Sequence, residues 1–386
     1  MSDRRDALTI LATGDVFNDL PDEPGAFRHL SPLLAGADIV FGNCEGVYSD
    51  QPDLAPTSKV FHGAATVRGS KLAAVPFHVM SYANNHTQDG GRAGLHETLA
   101  LLRGQGILTT GAGENLEVAT RPALVERRGT TVAFLAFCST FPAGYEARVD
   151  RPGLAPLRVR TLYELPDPTF WDPGIQPAIA TIPQPEDLAL FREAIESARR
   201  TADVVVVACH WGYAGMVRDR MSPSGPTHRR VWTDGVQQYE IDLAREAIEH
   251  GADAVVCHHQ ISLRGVAFHH GKPVFHGLGV LVNHFHHGLG GLIGEDDEEF
   301  PLYPFEPAYR RTGIAVLDID AAGEVLAGFI PAQILRDGST EPLRPDDPRA
   351  QEIATHLEAL NLESGFATTL ERGERDGWMF LRLRPA

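Results

Sequence analysis

The chain is short of positive charge: 34 Lys and Arg stand against 51 Asp and Glu, for a formal net charge of −17. Nucleic acids and anionic membrane surfaces are met by basic patches, so neither is an expected partner. An anionic substrate stays open, because a bound metal ion can supply the missing local positive charge. Cysteine is scarce too. Cys44, Cys138, Cys209 and Cys257 lie far apart, match no paired zinc-binding spacing and each end an apolar run, as buried free thiols do. Long hydrophobic runs are missing, and a stretch such as residues 131–138 is far too short to cross a bilayer. Residues 1–7 are charged and lead into only a strand's worth of apolar residues, so a cytoplasmic location is expected. Neither an internal repeat nor a low-complexity linker divides the 386 residues, whose 43% apolar content suits a large globular core.

Short β-branched runs alternate with helical patterns. Residues 8–12, 39–41, 78–82, 132–137, 204–209 and 254–257 read as buried strands. Residues 95–103, 188–199 and 241–250 carry apolar side chains at three-to-four spacing and read as helices. This alternation predicts an α/β core. Residues 273–275, 312–319 and 325–334 add strands, the last two joined across Ala321-Ala322-Gly323 as a hairpin. Residues 148–185 are proline-rich and form an insertion, and residues 283–311 make a loop that is glycine-rich and then acidic. The main domain is placed at residues 1–340. Residues 341–386 form an extension, with a helix over 348–362 and a strand over 378–383.

Polar residues punctuate the strand ends. Gly14-Asp15 follows the first strand, Asn43-Cys44-Glu45 the second, and Ala83-Asn84-Asn85-His86 the third, with Asp89 close behind. His210-Trp211-Gly212 and His258-His259 follow two more. Open α/β sheets bind ligands at the carboxyl ends of their strands. Carboxylate, amide oxygen and imidazole together suit a divalent transition metal such as manganese, iron or zinc. Any one such mark is more simply a helix cap or a satisfied buried group, but five of them at five strand ends point to one site. Asp89 could orient His86 or cap the helix that follows.

These blocks, with Gly111-Ala112-Gly113 and Gly251-Ala252-Asp253 in the same order, resemble the CapA-like, poly-gamma-glutamate capsule-synthesis family, related to calcineurin-like metallophosphatases. The resemblance spans about residues 8–278. It implies a four-layer α-β-β-α sandwich with mixed sheets and a site for one or two metal ions. It also implies that Asp15 and Glu45 hold one ion, with Glu45 bridging, that Asn85, His210 and His259 hold a second, and that His86 serves as general acid. The sequence departs from the family at three places. Ile261 stands where the family has the second histidine of His-Pro-His, Ala214 where an acid is common, and Gly279-Val280 where the family reads Gly-Asn. His258, His276, Asn283 and His284, or His286 and His287, are candidate replacements for the lost ligand.

Asn43, Trp211 and Arg218 are candidate substrate contacts, although Trp211 could equally pack beneath the pocket. Arg218 belongs to a basic stretch with Arg220, His228, Arg229 and Arg230. Lys59 and Arg68 could also meet an anion, while His269-His270 reads as an exposed turn. The leading expectation is a metal-dependent hydrolase acting on phosphoesters. A gamma-glutamyl or peptide-like amide is the alternative substrate, and a non-catalytic binding protein the reading from another class. The expected partner is a small or peptide-like anionic substrate, and a homo-oligomer is left open.

Overall fold

In a computed structural model, residues 7–19, 25–54, 61–164, 178–212, 214–222, 225–232, 235–284 and 307–386 are described, the 214–222 and 225–232 segments by backbone alone. The chain is mixed α/β. A ten-stranded sheet runs in the order Thr368–Arg375, Trp378–Pro385, Val325–Ile334, Arg311–Ile319, Leu8–Phe17, Ile39–Cys44, Val79–Ser81, Leu108–Thr110. Val280–Asn283 pairs beside the far end of Leu8–Phe17, and Thr340–Pro342 beside Val325–Ile334. A six-stranded sheet runs Val266–His269, Lys272–Phe275, Ala254–His258, Val204–His210, Thr130–Cys138, Ala123–Arg127. The inner strands of this second sheet are parallel and its edges antiparallel.

Side chains alternate along a strand, so each buried strand feeds two cores. Val204, Val206 and Ala208 join Ile10, Phe41 and Val79 in a core shared by both sheets, where Phe41 stacks on Phe134 at 5.2 Å. Val205, Val207 and Cys209 turn the other way, into a core with Phe191 and Ile195 of the Pro185–Arg199 helix and Leu243 of the Gln238–Glu249 helix. On the outer face of the larger sheet, Leu11, Val40 and Met80 pack with Leu95, Leu99 and Leu102 of the Gly91–Gly104 helix. The Pro348–Glu363 helix sends Ile353, Ala354 and Leu357 into the shared core. All four cysteines are buried and free.

Several elements lie beyond the sequence-based expectations. The insertion at 148–185 contains a hairpin of Val159–Glu164 with Ala178–Pro183, and the basic stretch contains one of Ala214–Ser222 with Gly225–Trp232. Thr368–Arg375 pairs with Trp378–Pro385 to form the sheet edge. Its outward charged face hides the apolar alternation that marks a strand. The greater part of the glycine-rich and acidic loop, with His286 and His287, lies outside the described residues, as does Lys59. No helix among the described residues is long and apolar enough to cross a membrane.

One close approach sets the register at the strand ends. The pairing of Leu8–Phe17 slips between Ala12 and Asp15, a bulge that re-aims Asp15. Gly14 lies there against Gly279, whose carbonyl oxygen would stand 2.0 Å from a Cβ at Gly14. Backbone cannot yield as a side chain does, so Gly14→Ala should cost about 3 kcal/mol or more. Urea denaturation checks this, and a variant as stable as the parent would refute the packing.

Candidate metal centre

The carboxyl ends of the parallel strands from both sheets meet at one place. Asp15 lies near the end of Leu8–Phe17, Glu45 just past Ile39–Cys44, and Asn85 and His86 past Val79–Ser81. From the second sheet His210 ends Val204–His210 and His259 follows Ala254–His258. Asn283 ends its own strand against Phe17.

Three groups converge on one atom. His210 Nε2 lies 2.6 Å from Asn85 Oδ1, 3.1 Å from His259 Nδ1 and 3.6 Å from Glu45 Oε1. Atoms that share an ion at about 2.0–2.2 Å stand roughly 3 Å apart, so these spacings suit a common ligand. Glu45, His210 and His259 form a compact ligand group, with one atom of each within 4.8 Å of the others. His259 adopts φ +93°, a strained backbone for a residue with a side chain, and its N–H donates to Asp15 Oδ2 at 3.2 Å. This twist turns the His259 ring to within 4.9 Å of the His210 ring.

The electrostatics point the same way. Burial pushes Asp15 up to about 7, against hydrogen bonds from Asn43 and from the His259 N–H that favour its charged form. Glu45 is held well above the usual carboxylate range by burial, then by the neighbouring charges of Asp15 and Asp89. Among the described residues no lysine or arginine pairs with Asp15 or Glu45. A cation between the strand ends would compensate both. Burial also holds His210 well below its ordinary value, in the neutral form that ligates metal.

A second cluster adjoins the first. His86 Nδ1 lies 2.7 Å from Asp89 Oδ2, Tyr145 donates its hydroxyl to Asp89 Oδ1 at 2.8 Å, and the His62 N–H donates to Asp89 Oδ2 at 2.9 Å. Asp89 therefore orients His86. The helix N-cap is Gly90, with no side-chain cap bond. The His62 ring meets the His86 ring edge-on at 4.8 Å, and its Nε2 lies 3.0 Å from Asn283 Oδ1. Asn283 in turn donates to Glu45 Oε2 at 2.8 Å. His62 and Tyr145 escape sequence reasoning because they come from irregular segments with no strand end to mark them. Asn283 is in the site, but as a brace for Glu45.

The other candidates lie elsewhere. His258 Nε2 is 3.0 Å from the Thr13 carbonyl, and burial lowers the ring to about 4. His258 is thus a buried buttress, because the strand alternation that brings His259 to the site turns its neighbour away. His276 stacks on Phe366 at 4.9 Å, and His284 is buried between the Asp19 N–H and the Gly338 carbonyl. Trp211 is 1% exposed and packs in the helix-side core, so it does not wall a pocket. Asn43 is fully buried and donates to Asp15 Oδ1 at 2.7 Å, bracing a carboxylate instead of facing substrate. Arg68 pairs with Asp19 at 3.7 Å. The side chain of Arg218 lies outside the described residues.

The two apolar departures meet each other. Ile261 and Val280 pack with Ile334 in a small buried cluster, with Tyr309 against it. Where the family pattern has a histidine and an asparagine, this chain has an apolar plug. Asp15 is left outside the compact ligand group.

Proton linkage gives a direct check on the metal-free protein. A carboxyl whose folded value is raised keeps its proton where the unfolded chain has lost it. Asp15 therefore stabilises the fold less as pH rises from about 4 to about 7, by up to about 1.4 kcal/mol per pH unit. The buried histidines act in the opposite sense below their ordinary values, so the comparison must be with a single variant. Chelator-treated wild type should lose stability relative to Asp15→Asn between pH 5 and 7. A pH-independent difference would contradict this account of Asp15.

A family profile described as bacterial capsule synthesis protein PGA_cap matches residues 9–220 and 228–284. An uncharacterized protein of Sinorhizobium fredii is 30% identical over 368 residues, covering 85% of this chain and 76% of that protein. The PGA biosynthesis protein CapA of Bacillus subtilis is 26% identical over 287 residues, covering 72% of this chain and 63% of CapA. A probable polyglutamine synthesis accessory protein of Mycobacterium tuberculosis is 28% identical over 258 residues, covering 66% of this chain and 57% of that protein. The matches thus span less than two thirds of these last two relatives. With the profile matching well over half of its length, the chain belongs to the bacterial capsule synthesis protein family PGA_cap, the CapA-like group.

Proposed function

We propose that the protein is a hydrolase dependent on one divalent metal ion, held by Glu45, Asn85, His210 and His259. The observation that carries this reading is the convergence of Asn85 Oδ1, His259 Nδ1 and Glu45 Oε1 on His210 Nε2, beside carboxyls with no lysine or arginine partner among the described residues. Two sheets facing one core, with helices on their outer faces, support the four-layer arrangement of the metallophosphatase type. When bound, manganese, iron or zinc would acidify a water and polarise the scissile group. The protein's own residues supply the rest. His86 is fixed by Asp89 through Nδ1, which leaves Nε2 to give a proton to the departing oxygen. Tyr145 and the His62 N–H hold Asp89 in place. Asn283 fixes Glu45, and Asn43 fixes Asp15.

A phosphoester is the substrate we place first, since metal activation with a histidine acid suits an oxygen leaving group. The relatives favour a second reading. The names of the Bacillus and Mycobacterium relatives, PGA biosynthesis and polyglutamine synthesis, point to an amide substrate such as a gamma-glutamyl bond. A panel of aryl and alkyl phosphoesters run beside gamma-glutamyl amides separates the two. Turnover confined to the amides would remove the phosphoester reading. Metal-dependent turnover of neither, with tight binding of a ligand, would leave a non-catalytic binding protein.

A further inference from the structure

Outside this centre, one more group among the described residues has the geometry of metal ligands. The turn between Val266–His269 and Lys272–Phe275 carries His269 and His270. His270 and Gly271 have φ of +49° and +76°, the left-handed pair of a two-residue hairpin turn whose first central position usually takes Asn, Asp or Gly. A histidine there brings the two imidazoles to 4.2 Å between centroids. Glu249, the last residue of the Gln238–Glu249 helix, places Oε1 3.1 Å from His269 Nε2. One ligand atom from each of the three lies within 4.8 Å of the others.

We propose that Glu249, His269 and His270 form a second divalent metal site, for a borderline ion such as zinc. Two imidazoles and a carboxylate are a ligand set found for zinc, with a fourth position left to water or a further ligand. Glu249 and His270 line a cleft of about 390 Å³ with Arg199 and Lys272, which gives that ligand room. Neither base competes for the site. Arg199 pairs with Asp253 at 2.7 Å, and Lys272 with Asp253 and Glu324 at 3.2 and 3.3 Å. The group stands at the amino ends of Ala254–His258 and Lys272–Phe275, the edge of the sheet opposite the strand-end centre. It therefore stands or falls independently of the proposed hydrolase.

The test is equilibrium dialysis of the full chain against buffered micromolar zinc, with metal counted by mass spectrometry. The proteins compared are wild type, the double variant His269→Ala/His270→Gly, Glu249→Gln and His210→Ala. Glycine is favoured at the turn position, and Glu249 is an exposed helix end, so both surface variants should fold. The site predicts one zinc equivalent fewer in the double variant and at least tenfold weaker binding in Glu249→Gln. His210→Ala should keep this equivalent. Equal zinc in wild type, the double variant and Glu249→Gln would overturn the proposal.

Discussion

Replacing His86 by asparagine should lower turnover about 10²–10⁴-fold and leave the metal content unchanged. His86 is not one of the grouped ligands, and its ring is tied to Asp89 at 2.7 Å. The loss should follow the leaving group. An alkyl ester, whose departing oxygen needs a proton, should suffer in full, whereas a nitrophenyl ester should be nearly spared. Steady-state kinetics on the two ester classes, with metal counted on the same preparations, checks this. Equal losses on both would remove His86 from the role of acid, and loss of the ion would make it a structural support of the centre.

His210→Ala should have the larger effect on the ion itself. Four-ligand zinc sites in small domains are worth about 10–16 kcal/mol, so losing one ligand of four removes about 3 kcal/mol, more than a hundredfold in affinity. His210 is the point on which Asn85, His259 and Glu45 converge, so its loss also leaves those groups without a common centre. Turnover at sub-saturating metal should fall by the same factor. His276→Ala is the informative contrast: its ring is buried against Phe366, so this variant should lose stability and keep the ion. Calorimetric metal titration distinguishes the cases. Unchanged affinity in His210→Ala would place the ion elsewhere.

The parts of the site legible in sequence are those that stand at strand ends. Asp15, Glu45, Asn85, His210 and His259 each follow an apolar run, and that punctuation is visible without coordinates. The family resemblance points to His259, with His258 as an alternative; the residues alone do not separate them, because the choice depends on strand phase and on a left-handed φ at His259. His62 and Tyr145 were invisible for another reason. They come from irregular segments and reach Asp89 across 27 and 56 residues, so no local pattern joins them. Ile261 and Val280 were legible as departures from the family pattern. Their packing with Ile334 was not, since it joins three separate segments. Core strands were clear because they are buried on both faces, while Thr368–Arg375 was hidden by its charged outer face.

The most direct test is the metal content of the full chain purified without chelators and measured by mass spectrometry, with Glu45→Ala/His210→Ala beside it. One equivalent of manganese, iron or zinc at the strand ends, absent from the double variant, is the predicted result. Zinc held at the surface histidines persists in both proteins and is subtracted by the comparison. Wild type and double variant with the same content, even after reconstitution with each ion, would contradict the metal centre and the hydrolase built on it.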